Sequence, residues 1–208
     1  MERYIHFVSL GCAKNRVDTE VMAGLAAGQG LRLTADPRQA DVIVVNTCAF
    51  IESARRESIE VLLRMARHRI EGRARYLVAA GCLAQRHGVE LGARMPELSH
   101  LLGTGRAERL GHIIAGRAAR YQIGPAGCFL QKRRTPRFSE PGAVSAFVKI
   151  ADGCSRRCAF CAIPGIKGLA RSRPVGDIVH EAQQLGRRGV KEICLVAQDT
   201  AAYGRDLP

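Results

Sequence analysis

The sequence predicts an α/β protein, with a parallel sheet in its first half and the start of a second β/α unit after it. Three observations carry this prediction. Apolar, β-branched runs alternate with helix-spaced segments through residues 4–114, three of those runs end on a cysteine, and residues 116–145 break the pattern. Strands alternating with helices imply parallel pairing through βαβ units.

Residues 4–10 are a short apolar run ending in Gly11-Cys12. Residues 17–27 have helical spacing, with Val21, Met22, Leu25 and Ala26 on the face to be buried. Residues 41–46 (DVIVVN) lead into Thr47-Cys48 and suit a strand covered on both faces. Residues 52–69 form a long helix with Ile59, Leu62, Leu63 and Ala66 as its inward stripe and arginines on the wet side. A strand at 76–80 ends at Gly81-Cys82, and a helix at 84–95 stops before Pro96. A further strand at 98–102 and a short helix at 108–114 complete a first domain over residues 1–115. Residues 116–145 are rich in Gly, Pro and Arg and read as an interdomain linker, with Cys128 incidental inside it. Residues 146–208 then give a strand (146–151), a cysteine loop, a helix (175–188) and a strand (192–197). The helix presents Ile178, Val179, Ala182 and Leu185, and Gly189 is its stop. Cys194 reads as a core residue of the last strand. Such a unit is expected to be right-handed and parallel.

The topology gives the cysteines their meaning. Cys12, Cys48 and Cys82 each follow a strand, so a parallel sheet brings them to one edge, where ligands of such sheets bind. The alternative is that each is a small buried hydrophobe. Cys154, Cys158 and Cys161 form Cys-x-x-x-Cys-x-x-Cys. Three thiolates can hold three corners of an iron–sulfur cube and leave one iron open, whereas closed clusters use four cysteines. An open iron can take a small molecule bearing an amine and a carboxylate, such as S-adenosylmethionine, and this points to radical chemistry. Structural zinc is the other reading, but it takes four ligands, and the next His and Cys are His180 and Cys194. No signal peptide opens the chain, which disfavours disulfides and suggests a cytoplasmic protein.

Other residues are candidates with a plainer alternative each. Phe160 suits packing on an adenine, or a core position under the loop. Gln198 and Asp199 follow a strand at the active edge and suit cofactor or substrate contacts, or a helix cap. Lys14, Asn15 and Asn46 flank strand-end cysteines and suit tuning of a cluster, or capping and solvation. Arg156, Arg157, Arg171 and Arg173 suit a carboxylate clamp, or a solvated face. The six histidines show no ligand spacing.

Among 208 residues, 47% are hydrophobic, which is enough for a core, and no apolar run reaches membrane-spanning length. The net charge is 32 − 19 = +13. Such an excess favours nucleic acid or a ribonucleoprotein. The skew toward arginine, 27 Arg against 5 Lys, fits genomic base composition equally well.

The stretches SLGCAKNRVDTEVM, ADVIVVNTCAFIESARRESI, GCLAQR, KIADGCSRRCAFCAIPGIKG, RSRPV and AQDTAAYGRDL together resemble the radical S-adenosylmethionine methylthiotransferases. The resemblance covers nearly the whole chain apart from the linker. It implies a Rossmann-like N-terminal methylthiotransferase domain followed by the beginning of a partial β/α radical-SAM barrel. Family members continue beyond this point through the rest of that barrel and a small β-domain, so little turnover is expected from these residues alone. The resemblance also implies two 4Fe-4S clusters and S-adenosyl-L-methionine. Cys154, Cys158 and Cys161 would hold the cluster that cleaves the cofactor, and Cys12, Cys48 and Cys82 an auxiliary one serving sulfur delivery. Ala13 stands where the family commonly has proline, which changes backbone stiffness and removes no ligand.

One branch of the family acts on tRNA adenosine, the other on an aspartate β-carbon of a small-subunit ribosomal protein. Gln198-Asp199-Thr200 with Tyr203-Gly204, and Phe50-Ile51-Glu52-Ser53, look like the ribosomal-protein branch. The expected partners are that protein or the ribosome, an electron donor and a sulfur donor, with no membrane. A non-catalytic iron–sulfur or zinc protein that binds RNA is the reading from another class.

Overall fold

The computed structural model describes residues 2–208. The first strand, β1 (Arg3–Ser9), leads into helix α1 (Ala13–Ala27) and a short strand β2 (Leu31–Leu33). Strand β3 (Val42–Thr47), helix α2 (Glu52–Ile70), strand β4 (Tyr76–Gly81) and helix α3 (Cys82–Arg94) follow. Strand β5 (His100–Leu102), helix α4 (Leu110–Ile114) and strand β6 (Tyr121–Gln122) complete a six-stranded sheet. Its order is β2-β1-β3-β4-β5-β6, and every pairing is parallel.

Alternation along the strands sends side chains to two cores. Ile43, Val45, Leu77 and Ala79 pack with Leu62 of α2 and Leu91 of α3, while Val42, Val44, Val78 and Ala80 pack with Met22 of α1 and Ile113 of α4. Helices therefore cover both faces, which is why β3 is buried at all six positions. The chain leaves β1 in one direction to form β2 and returns on the other side as β3. The sheet thus reverses order between β1 and β3, and its ligand crevice is expected there.

Three expectations about this part change. Leu63 is 54% exposed, because the buried stripe of α2 runs through Ser58, Val61, Leu62 and Ala66 instead. Helix α1 begins at Ala13, a turn earlier than its apolar spacing suggests. The stretch 116–145 is more than a connection. Tyr121–Gln122 adds the sixth strand, and the Arg120 guanidinium donates to the carbonyls of Gly92, Met95 and Leu98. Two residues are too few to show a period, so the strand was invisible to pattern.

The second unit starts with β7 (Ser145–Lys149) and the short β8 (Ala151–Asp152). Helix α5 (Ile163–Lys167), strand β9 (Arg171–Ser172), helix α6 (Val175–Arg187) and strand β10 (Glu192–Val196) follow. Strand β10 pairs parallel with β7, and β9 closes antiparallel on β8 at the base of the cysteine loop. A small core of Val148, Ile150, Leu185 and Val190 holds α6 to this pair. Cys194 is half-buried rather than core, since β10 is an outer strand whose Leu195 is 54% exposed. Val179 is 46% exposed for the same reason, leaving Leu185 as the buried residue of α6. Among the described residues no helix is long and apolar enough to cross a membrane.

Candidate metal centre

The loops after β1, β3 and β4 bring Cys12, Cys48 and Cys82 together at the carboxyl edge of the sheet, beside the reversal between β1 and β3. Gly11 makes the first approach possible. Its φ is +86°, and a Cβ there would lie 2.7 Å from Cys48 Cβ and 3.0 Å from its Sγ. Gly81 does the same before Cys82, with φ +89° and the space for a Cβ blocked by Asn46 Oδ1. Ser58, fully buried on α2, locks the second loop: its hydroxyl accepts from Cys48 N at 3.0 Å and donates to Cys48 O at 2.9 Å. Thr47 Oγ1 donates to Ala80 O and accepts from Leu83 N, tying β3 to the start of α3.

Asn15 and Asn46 serve the backbone. Asn15 Nδ2 donates to Leu10 O and Thr47 O, and Asn46 Nδ2 donates to Asn15 O and Thr19 Oγ1. They fix the two loops that carry Cys12 and Cys48, and Asn46 is not a helix cap. Lys14 lines the cavity rather than standing clear in water.

That cavity, of about 800 Å³, is ringed by Cys12, Cys48, Cys82, Cys154 and Cys161. Phe50 and Ile51, 46% and 56% exposed, form an apolar lip. Gln198 also lines it, and its Oε1 is buried without a hydrogen-bond partner. The structure thus brings both cysteine groups and Gln198 to one space. Cys158 and Phe160 do not line it. Cys158 is exposed, and Phe160 is 88% exposed, which rules out the core position under the loop considered for it. Asp199 turns away to pair with Arg156, and its side chain caps no helix. Arg157 and Arg171 are exposed. Arg173 is buried and structural, donating to Lys149 O and pairing with Glu181.

The donor set and the space fit an iron–sulfur group. The donors are thiols, as such clusters require. Among the described residues no three His, Cys, Asp or Glu side chains converge on a single-ion site. The cysteines instead surround a volume. Cys82 opens α3, where a helix N-terminus favours thiolate. Burial outweighs this and pushes its thiol up to about 12, with the Lys167 ammonium pulling the other way. A coordinating metal would deprotonate it outright.

Beneath the cavity lies a feature that motif reading missed. Asp18 of α1 pairs with Lys149 of β7 and with Lys167 of α5 at 3.1 Å. Asp152 of β8 pairs with the same two lysines, at 3.2 and 3.4 Å. Lys149, Asp152 and Lys167 are all buried. Burial disfavours the charged form of each, yet the partners win. Asp152 is held below the usual carboxylate range, and Lys149 and Lys167 are raised, Lys167 strongly. These four charges join the first domain to the two ends of the cysteine loop. The signal available in the sequence was a lysine inside the apolar run 146–151, followed by an aspartate two residues before Cys154.

Known proteins agree with this picture. Residues 4–103 match the family described as uncharacterized protein family UPF0004, and residues 148–207 match the radical SAM superfamily. The radical S-adenosylmethionine methyltransferase TsrM from Kitasatospora setae, solved with cobalamin and a 4Fe-4S cluster, shares the fold with a TM-score of 0.59 at 14% identity. That likeness covers 96% of this chain and 49% of TsrM. Fold and site therefore define a radical S-adenosylmethionine protein with a second, cysteine-bearing α/β domain. An iron–sulfur cluster and S-adenosylmethionine are the cofactors of that class.

Curated relatives narrow the class. The ribosomal protein uS12 methylthiotransferase RimO of Sorangium cellulosum is 51% identical over 205 residues, covering 98% of this chain and 42% of that protein. The protein of the same name from Anaeromyxobacter sp. (strain Fw109-5) is 49% identical, covering 99% of this chain and 43% of that protein. The chain belongs to the RimO-like radical S-adenosylmethionine methylthiotransferase family, and it spans a little under half the length of the curated relatives it matches.

Proposed function

We propose that this chain provides both cofactor sites of a methylthiotransferase acting on the β-carbon of an aspartate in ribosomal protein uS12. Cys154, Cys158 and Cys161 would hold one 4Fe-4S cluster, and Cys12, Cys48 and Cys82 an auxiliary one. The observation that carries the reading is the single cavity lined by cysteines of both groups, in a chain 51% identical to a RimO over 98% of its length. When bound, the first cluster and S-adenosylmethionine supply the electron and the carbon radical that an unactivated C–H bond requires.

The chain's own residues bind, orient and shield. Ser58, Asn15 and Asn46 fix the loops that present the auxiliary cysteines. Phe50 and Ile51 exclude water from the cavity mouth, which a reactive radical demands. Gln198, with its free Oε1, is the candidate to accept a hydrogen bond from cofactor or substrate. Phe160 stands on the loop's outer side, where it can close over an adenine. An electron donor and a sulfur donor complete the partners.

The test uses the full-length protein. Cys158→Ala should abolish cleavage of S-adenosylmethionine, whereas Cys82→Ala should leave cleavage measurable and stop methylthio insertion into uS12. Unchanged product from Cys82→Ala would reject the auxiliary assignment. Mass spectrometry of uS12 and of tRNA from a deletion strain fixes the substrate, and loss of the modification on tRNA alone would reject uS12.

A further inference from the structure

We propose that a second cavity, between the basic stretch 131–137 and helix α6, binds a nucleotide unit, with the base inside and phosphate at its rim. The cavity has a volume of about 230 Å³ and shares no lining residue with the cysteine-ringed one. Its observations are independent of the reaction, so either proposal can fail alone.

Two buried polar side chains line it with unmet hydrogen-bonding groups. Gln131 is 3% exposed, and both its Nε2 and Oε1 lack partners. Arg173 is 1% exposed, and its Nε–H has none. Of the eight buried side-chain N and O atoms without partners among the described residues, these are three. Leaving such groups unmet is costly, so their concentration in one cavity points to a polar occupant. A donor and an acceptor side by side on one amide match the edge of a nucleobase. The carboxylates in the wall agree. Glu181 is held by Arg137 and Arg173, while Asp177 is in no ion pair among the described residues and can accept from an exocyclic amine. The unpaired Asp177 would repel a phosphate deep in the cavity.

The rim has the opposite character. Lys132, Arg133 and Arg134 are exposed and take part in no ion pair among the described residues. Their backbone is held in place. Lys132 N donates to Thr135 Oγ1, Thr135 N donates back to Lys132 O, and Phe138 N donates to Glu20 O of α1. Arg137 anchors the end of the stretch between Glu20, Glu181 and Phe147 O. Three cations on a fixed turn suit phosphate oxygens, and the +13 charge of the chain favours a polyanion approaching.

The source of the nucleotide is either an RNA strand or a free mononucleotide. The full-length protein is titrated with fluorescent oligoadenylate RNA and with an abasic oligomer of equal length. Oligoadenylate should bind at least roughly fivefold tighter, as a bidentate base contact gives. Gln131→Met, similar in volume, should erase that preference and leave the salt dependence intact. Arg133→Ala with Arg134→Ala should weaken both oligomers and lower the salt slope by about 1.4, or about 0.7 per phosphate contact. This second variant lies on the surface and keeps the test alive if Gln131→Met does not fold. AMP that displaces the RNA assigns the site to free nucleotide, and RNA that persists against AMP assigns it to a strand. Equal affinity for the two oligomers, a preference that survives Gln131→Met, or a salt slope untouched by the double variant overturns the proposal.

Discussion

Cysteines of both triads reach the same cavity, by opposite routes. Cys12, Cys48 and Cys82 are spread over 70 residues of sequence and gathered by three parallel strand ends. Cys154, Cys158 and Cys161 sit within one loop, and Cys158 is exposed. The first triad is positioned by the sheet: Cys48 and Cys82 are buried, Cys12 is exposed, and glycines, Ser58 and two asparagines hold the loops. The second is anchored at its base by the β8–β9 pair and the buried lysine–aspartate group, with an exposed Arg156–Asp199 pair across its mouth. A site made by topology has its geometry fixed by the core. A site made by a contiguous motif depends on what anchors the loop.

The largest expected effect comes from cutting that anchor. Asp18→Asn leaves Lys149 and Lys167 sharing one carboxylate in a buried place. Breaking such a pair costs about 3–5 kcal/mol. The melting temperature of the iron-free protein should fall accordingly, and the loop triad should lose iron before the strand-end triad does. The pH dependence has a defined sign. The folded pKa values of Lys149 and Lys167 are raised, with Asp18, Asp152 and, for Lys167, the neighbouring Cys82 facing them. Their contribution is complete below the unfolded value of about 10.4 and is lost only as pH rises through the folded one. The wild-type protein should therefore lose no stability through these lysines from pH 7 to about 10, whereas Asp18→Asn, with two buried lysines on one carboxylate, should narrow its deficit as pH rises and one lysine sheds its proton. A deficit that widened over that range would reject the ion-pair account.

Gly81→Ala attacks the other triad alone. Backbone of φ 89° and ψ −148° is essentially reserved for glycine, and forcing another residue there costs about 1–3 kcal/mol before the clash with Asn46 Oδ1 is added. Iron content after anaerobic reconstitution should fall from about eight to about four per full-length chain, with cofactor cleavage retained. Gly165→Ala is the matched control near the loop triad: a Cβ there meets nothing within 4 Å, and iron content should not change. Equal iron loss from both variants would erase the contrast between the triads.

Ser58→Ala is a finer probe of the same contrast. It leaves Cys48 N without its partner in a buried place, at about 1–3 kcal/mol. The effect should appear as a lower melting temperature and slower cluster assembly at the strand-end triad. Normal assembly would mean that the sheet alone positions Cys48.

How much of this was legible in the sequence follows the same division. Alternating apolar runs gave the sheet, and strand-end cysteines gave one edge, because parallel topology converts spacing into proximity. The loop triad was legible as a motif. The buried charge group was not, because Asp18 and Lys149 are 131 residues apart and only the docking of the two units brings them together. Strand β6 escaped because two residues carry no period. Leu63 was misassigned because the buried stripe of α2 is set by the sheet beneath it, and that sheet selects Val61 and Ser58.

The smallest expected effect concerns Arg156, which the sequence offered as a carboxylate clamp. Its guanidinium is committed to Asp199, across the mouth between the cysteine loop and the turn after β10, and it is 59% exposed. That hydrogen-bonded pairing lowers Asp199 and raises Arg156 in pKa, but exposed pairs of this kind add little to stability. Arg156→Ala should leave melting temperature and iron content unchanged. Affinity for S-adenosylmethionine then separates two roles. If Arg156 serves only Asp199, affinity is also unchanged. A tenfold or larger loss would instead mean that the arginine leaves Asp199 when the cofactor arrives, making the loop triad a site that completes itself on binding while the strand-end triad is already built.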